Sequence, residues 1–375
     1  MNAPSSPPPA IECYGHTVPP FRTVFPKVFR AGIEAMTVDQ IDALAETLSE
    51  ADRQCLADYL GPATAEVLDG LAEDKASRLS THYTATGDPD EAAFRALYPR
   101  VAATTNNTLS LDQLAAVLAK LSGEDMASQS FYFGDEGRQL AFTTMKPDRI
   151  TATLDHTADW VMLASAKRAI EAIDGYTATL EKEERIGRKM QGKEIIAIKV
   201  RHEPFAVYMK WVAGPHKGRE ILYNAALLGP DKVRVREAGL LGVMPVTIAI
   251  DGVAARRGTN HQVTEVGLKA LVELIEKDFL KAAPQDHIQR NNHGISELDG
   301  KPVYRMENVM PRDPKLGYFC YRIMHYTDFV RGLEVKVDVY DFDDRLTESH
   351  HYRNIDTKAQ LTEADFDPKN KAYKL

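Results

Sequence analysis

The sequence predicts an α+β protein: a small all-helical N-terminal domain, then a strongly curved antiparallel β-sheet closed by helices. Three observations predict it. From about Phe29 to Leu121 apolar residues recur at helical spacing. From Gly175 onward polar and apolar residues alternate in short runs separated by turn residues. One long helical segment, Val263 to Ala283, interrupts the strand series.

The chain opens on MNAPSSPPPAIECYGHTVPPF, read as a flexible Pro-rich leader over residues 1–21. It lacks the basic and apolar regions of a secretory signal. The helical domain follows over 22–125. Thr37-Val38-Asp39-Gln40 has the capping-box form, in which a hydroxyl accepts the third backbone amide and a Gln side chain reaches back to the cap. Ile41, Leu44 and Leu48 then share a face, continued by Cys55, Leu56, Tyr59 and Leu60, and Gly61-Pro62 stops it. Ser110-Leu111-Asp112-Gln113 repeats the cap before Leu114, Val117, Leu118 and Leu121. Nothing in this part has catalytic spacing, so it reads as packing or docking surface. Phe131 to Met145, FYFGDEGRQLAFTTM, reads as a hairpin turning at Gly134 to Gly137, which makes 126–154 a connector. Asp155 or Thr157 can cap a helix running to about Ile173.

The remainder, 155–375, carries the sheet. Tyr176, Ala178 and Leu180 oppose Thr177, Thr179 and Glu181. Ile196, Ile198 and Val200 follow, then Phe205, Val207, Met209 and Trp211, then Ile221, Tyr223 and Ala225. Val233 and Val235 come next, and Leu333, Val335, Val337 and Val339 alternate near the end. Hairpin-length connections imply antiparallel neighbours, and the alternation implies one wet face. Val266, Leu271, Leu274, Ile275 and Leu280 make a broad stripe on the interrupting helix, which can cover the apolar face. Nine or more strands make a wide sheet, and a twisted sheet that wide tends to curl around an apolar volume.

Composition excludes some classes. The chain is 44% hydrophobic and 27% charged, enough to bury a core. A net charge of −8 argues against a chain that coats nucleic acid. The longest uncharged apolar run, Ala238 to Ile250, is short of the roughly 20 residues of a spanning helix. Three sparse cysteines, Cys13, Cys55 and Cys320, form no disulfide framework. Cys320 reads as a core residue, and a Cys13–Cys55 pair is open.

The segment GYTATLEKEERIGRKMQGKEIIAIKVRHEPFAVYMKW, with the ending LTEADFDPKNKAYKL, resembles the bacterial domain-of-unknown-function 1571 family over residues 155–375. That family resembles the LolA-like lipoprotein carriers and lipid-binding proteins. The resemblance implies an incomplete barrel, a curved sheet around plugging helices, and a non-enzymatic carrier of a lipid or acylated protein. It implies a periplasmic or cell-envelope location, with a cytoplasmic one as the alternative. No cofactor is expected.

Residues expected around a cavity are Tyr176, Leu180, Ile198, Phe205, Val207, Met209, Trp211 and Tyr223 from the sheet, with Leu271, Leu274 and Ile275 from the helix. They can equally pack on one another, since an apolar strand face is core by default. The second functional reading is then an envelope sensor or interaction scaffold with a filled interior, docking partners on its N-terminal helices. A third is a metal-dependent hydrolase around Asp341, Asp343, Asp344, His350 and His351. That segment lacks calcium-loop spacing and reads well as a hairpin turn. Glu181, Glu183 and Glu184 read as an exposed strand end, and IQRNNHG around His293 as loop.

Overall fold

The computed structural model describes residues 10–60, 91–242, 244–256 and 258–375. The chain divides into two units, residues 1–165 with 329–331, and residues 166–328 with 332–375.

In the first unit, Ile11–Cys13 (β1) and His16–Val18 (β2) pair as a two-stranded ribbon. The rest of the predicted leader, residues 1–9, lies outside the described residues, as does the predicted Gly61-Pro62 stop. Helices then span Phe21–Glu34 (α1), Val38–Thr47 (α2), Glu50–Leu60 (α3), Glu91–Thr108 (α4) and Leu111–Lys120 (α5). Both predicted capping boxes form, at Thr37 with Gln40 and at Ser110 with Gln113. Each capping Gln also donates to the end of another helix, Gln40 to the Thr108 carbonyl and Gln113 to the Ala35 carbonyl. The core is aromatic: Phe21, Phe25 and Phe94 are almost fully buried, and Tyr59 stacks on Phe94 with centroids 3.5 Å apart.

The predicted hairpin over 131–145 is instead helix. Gly123–Thr144 (α6) starts from a third capping box, Ser122 with Asp125, and breaks at Gly134, where φ is 65°. Gly137, Arg138 and Ala141 are buried on one helical face. Of the glycines that read as a hairpin turn, Gly134 marks the kink, because glycine takes positive φ at little cost in either setting, and Gly137 stays helical, where a Cβ would lie 3.2 Å from Pro99 Cγ. Pro147–Asp155 (α7) completes the connector as helix, and Asp159–Glu171 (α8) is the helix expected to run to about Ile173.

The second unit is a twelve-stranded sheet in which every pairing is antiparallel. Its first half is Gly175–Ile186 (β3), Lys189–Met190 (β4), Glu194–Arg201 (β5), Ala206–Ala213 (β6), Glu220–Asn224 (β7), Lys232–Arg236 (β8) and Val246–Ala249 (β9). Its second half is Gln289–Leu298 (β10), Lys301–Val309 (β11), Arg322–Asp328 (β12), Leu333–Tyr340 (β13) and Leu346–Asp356 (β14). The order is β10-β11-β12-β13-β14-β3-β5-β6-β7-β8-β9, with β4 added beside β3. Two meanders are therefore joined at one seam, β14 against β3.

The expected strongly curved, incomplete barrel is not what forms. The sheet is open and is neither closed nor strongly curled, and its end strands β9 and β10 do not pair with each other. Alternation in sequence dictates which face is wet but contains no term for curvature, so width was a poor guide to it. The expected loop at IQRNNHG is also corrected. From Gln289 on it belongs to β10, an edge strand with no buried residue, which therefore lacks an apolar alternation.

The end strands β9 and β10 are consecutive in sequence but stand roughly 50 Å apart across the sheet at the usual strand spacing. Residues 250–288 must cover that distance, and they do so over the apolar face. Ala255, Val263 and Val266 pack on it, and Leu268–Ala282 (α9) buries Leu268 and Leu271 against it. The start of α9 has no side-chain cap of its own. Two phenols rising from the sheet accept its first amides: Tyr352 from Gly267 N–H at 3.2 Å and Tyr176 from Leu268 N–H at 2.9 Å. Burial pushes the Tyr352 phenol up to about 12, so it meets the helix as a neutral hydroxyl. Gly267 sits at φ 112°, and a Cβ there would lie 2.8 Å from the Tyr176 hydroxyl.

Tyr176→Phe should therefore cost about 1–3 kcal/mol, the penalty of a buried amide without an acceptor. Gly267→Ala should cost at least as much, from backbone strain and the collision together. Urea unfolding of both variants checks this, and unchanged midpoints would refute the capping role.

Candidate functional site

Strand phase determines what lies under the crossing segment. In β3, Tyr176, Ala178 and Leu180 face it, and Lys182 and Glu184 continue in the same phase. Across the seam Leu180 stands opposite Tyr352, Lys182 opposite His350, and Glu184 opposite Glu348. On the other side Lys182 stands opposite Glu194 of β5. The apolar face thus ends in a charged patch of Lys182, Glu184, Glu194, Glu348 and His350.

The patch is covered. Glu184 is 2% exposed, Glu194 4% and Glu348 5%. Buried carboxylates need partners, and the crossing segment supplies several. Asn260 N–H donates to Glu184 Oε2 at 3.0 Å, Asn260 Nδ2 to Glu348 Oε1 at 3.1 Å, and His261 Nε2 to Glu348 Oε2 at 2.8 Å. From the sheet, His350 Nε2 donates to Glu184 Oε1 at 3.1 Å. Lys182 Nζ stands 3.4 Å from both Glu184 and Glu194, and His216 hydrogen-bonds Glu194. Burial pushes the Glu184 carboxyl up, but the bonds from His350 and Asn260 and the Lys182 ammonium outweigh it and hold it near 2. Burial likewise opposes ionisation of Glu348 and His261, yet their mutual hydrogen bond lowers the former and raises the latter.

Between this patch and the apolar floor lies a cavity of about 60 Å³. It is lined by Leu180, Met209, Trp211, Ile221 and Tyr352 below and by Lys182, Glu184, His261 and His350 beside them. Glu184, His261 and His350 each present a ligand-type atom, all within 4.8 Å of one another.

Of the residues expected around a cavity, Tyr176, Leu180, Ile198, Val207, Met209, Trp211, Tyr223 and Leu271 fall in one buried cluster, with Phe205 and Ile275 packed at its margin. Leu274 is half-buried outside it. Only Leu180, Met209 and Trp211 of this set line the cavity.

The segment of the third, metal-dependent reading does not gather. Asp341 and Asp343 pair with Arg345, and Asp344 pairs with Arg322 and Arg312, in the turn between β13 and β14. His351 points away from His350 and meets Asp299 at 3.0 Å. His350 alone reaches the cluster. Glu184 is corrected from exposed to buried: it is in phase with Leu180, a signal the alternation contained. His261 had no such signal, since it is placed by the crossing segment. Cys320 is buried as expected, its thiol pushed up to about 12 by burial. No disulfide forms among the three cysteines.

Lys182 is the fixed cation shared by two buried carboxylates. Lys182→Met should cost about 3–5 kcal/mol, the penalty of leaving buried charge unpaired. Lys193→Met, an exposed partner of Glu181 on the other face, should cost less than about 1 kcal/mol. Equal unfolding midpoints for the two variants would refute this division.

No curated protein is similar to the chain. Among solved structures it is similar to the lipoprotein LppX of Mycobacterium tuberculosis, at 10% identity over 55% of this chain and 100% of that one, TM-score 0.34. It is also similar to an uncharacterized conserved protein from Thermus thermophilus, at 9% identity over 55% and 96%, TM-score 0.32. A third is a putative outer membrane lipoprotein-sorting protein domain from Vibrio parahaemolyticus, at 13% identity over 55% and 94%, TM-score 0.29. Among the described residues no helix is long and apolar enough to cross a membrane. The model of the protein family of unknown function DUF1571 matches residues 173–375, the whole sheet and its covering segment, and the chain belongs to that family.

Proposed function

We propose that this chain is a non-enzymatic interaction module of the cell envelope, a sensor or scaffold that works through its outer surfaces. The observation that carries this reading is that the apolar face of the sheet is already filled. Twenty-five buried residues form one cluster across it, and the cavity under the crossing segment is about 60 Å³. Pockets that bury small ligands run to about 300–1,000 Å³. An acyl chain would enter this cavity only if residues 250–288 lifted from the sheet, which would expose the buried carboxylates of the patch.

An open groove of about 690 Å³ lies at the same end of the sheet, bordered by Arg185, Arg188, Arg345, Phe319 and Phe342. Phe319 is 40% exposed. Arginine and aromatic side chains are the types enriched where proteins meet, so a polypeptide segment suits this groove. The N-terminal helices are a second candidate surface, and an envelope location accompanies the reading.

Native mass spectrometry and lipid extraction of the purified chain test it. The expected result is no stoichiometric acyl ligand. Recovery of one acyl chain per protein would overturn the reading in favour of a carrier.

A further inference from the structure

We propose that Glu184, His261 and His350 form a binding site for one divalent transition-metal ion of the zinc class, which ties the crossing segment to the β3–β14 seam. The three residues come from three separate elements: β3, the segment before α9, and β14. Their ligand-type atoms converge within 4.8 Å although they are far apart in sequence. Two imidazoles and one carboxylate are a set that zinc and its neighbours accept, with positions left for solvent.

Three further observations favour an ion. The first is the charge ledger of the patch. Glu184, Glu194 and Glu348 are all at most 5% exposed, and Lys182 is the lysine that pairs with the first two. Arg219, which also borders the cavity, is engaged by Glu237 at 3.3 Å and lies over the Trp211 ring. A divalent cation adds fixed positive charge where three buried carboxylates otherwise share one ammonium and the imidazoles of His216, His261 and His350.

The second is the surroundings of His261. Its Nε2 lies 2.8 Å from Glu348 and its Nδ1 lies 3.6 Å from Glu265. Whichever nitrogen takes the ion, a carboxylate stands beside the other, the arrangement that orients a metal-binding imidazole and raises its basicity. The third is Trp211. It lines the same cavity, is 4% exposed, and its indole N–H has no acceptor among the described residues. A buried donor of this kind wants an oxygen in the cavity, and a water on a bound ion is one.

The test uses the full chain, stripped with chelator and then titrated with Zn²⁺, with Co²⁺ absorption as a second readout. The expected result is one Zn²⁺ retained per chain and ligand-field bands from Co²⁺. His350→Ala, His261→Ala and the near-isosteric Glu184→Gln should each weaken binding at least about tenfold, whereas His351→Ala, on the opposite face, should leave it unchanged. Circular dichroism confirms that each variant is folded, and Glu184→Gln serves if a histidine variant is not. Less than one-tenth of an equivalent bound by the folded wild-type chain would overturn the site. So would equal affinity in wild type, Glu184→Gln and His350→Ala. Neither result bears on whether an acyl ligand is absent, so this site and the interaction reading stand or fall separately.

Discussion

The architecture of the second unit depends on one constraint: its two end strands are neighbours in sequence and far apart in space. Residues 250–288 have to traverse the sheet, and the apolar face offers the route that buries the most surface. The traverse is fixed by direction as well as by burial. Hydrophobic packing alone would let a helix slide along a greasy face, since that force has no preferred orientation. The hydroxyls of Tyr176 and Tyr352, accepting consecutive amides at the start of α9, pin the helix to one position.

The charged patch is the second anchor, and it differs in kind. Burying three carboxylates is costly, and the cost is tolerable because each is met by several donors in defined geometry. Two neutral contacts and one ionic cluster therefore hold the same segment at two points along its course. The cavity lies between them, where neither side chains from the sheet nor those of the crossing segment fill the space.

Much of this was legible in the sequence, and the reasons separate cleanly. Capping boxes at Thr37 and Ser110, the alternation of β3 and β5, and the covering role of 263–283 all follow from local periodicity, whereas β6 and β13 alternate in sequence but are buried on both faces along most of their length. Curvature did not follow, because it depends on how strands coil together rather than on which faces are oily. Gly134 misled for a related reason: glycine signals a bend without saying whether strand or helix is being bent. In the charged patch, Glu184 was legible from its phase with Leu180 but was read as the end of a strand. His261 was not legible at all, since only the path of a long connection brings it beside Glu348 and His350.

The seam of β3 with β14 has a consequence for how the protein is made. Nearly every other strand pairs with a neighbour in sequence, so each meander can assemble as it is synthesised. The seam alone joins residues 175–186 to 346–356. On the ribosome β3 must wait, one edge unpaired, until residues 346–356 have emerged. Late closure of a central pairing is slow and leaves a sticky edge open meanwhile, so this unit has its period of greatest need for a chaperone in the interval before β14 emerges.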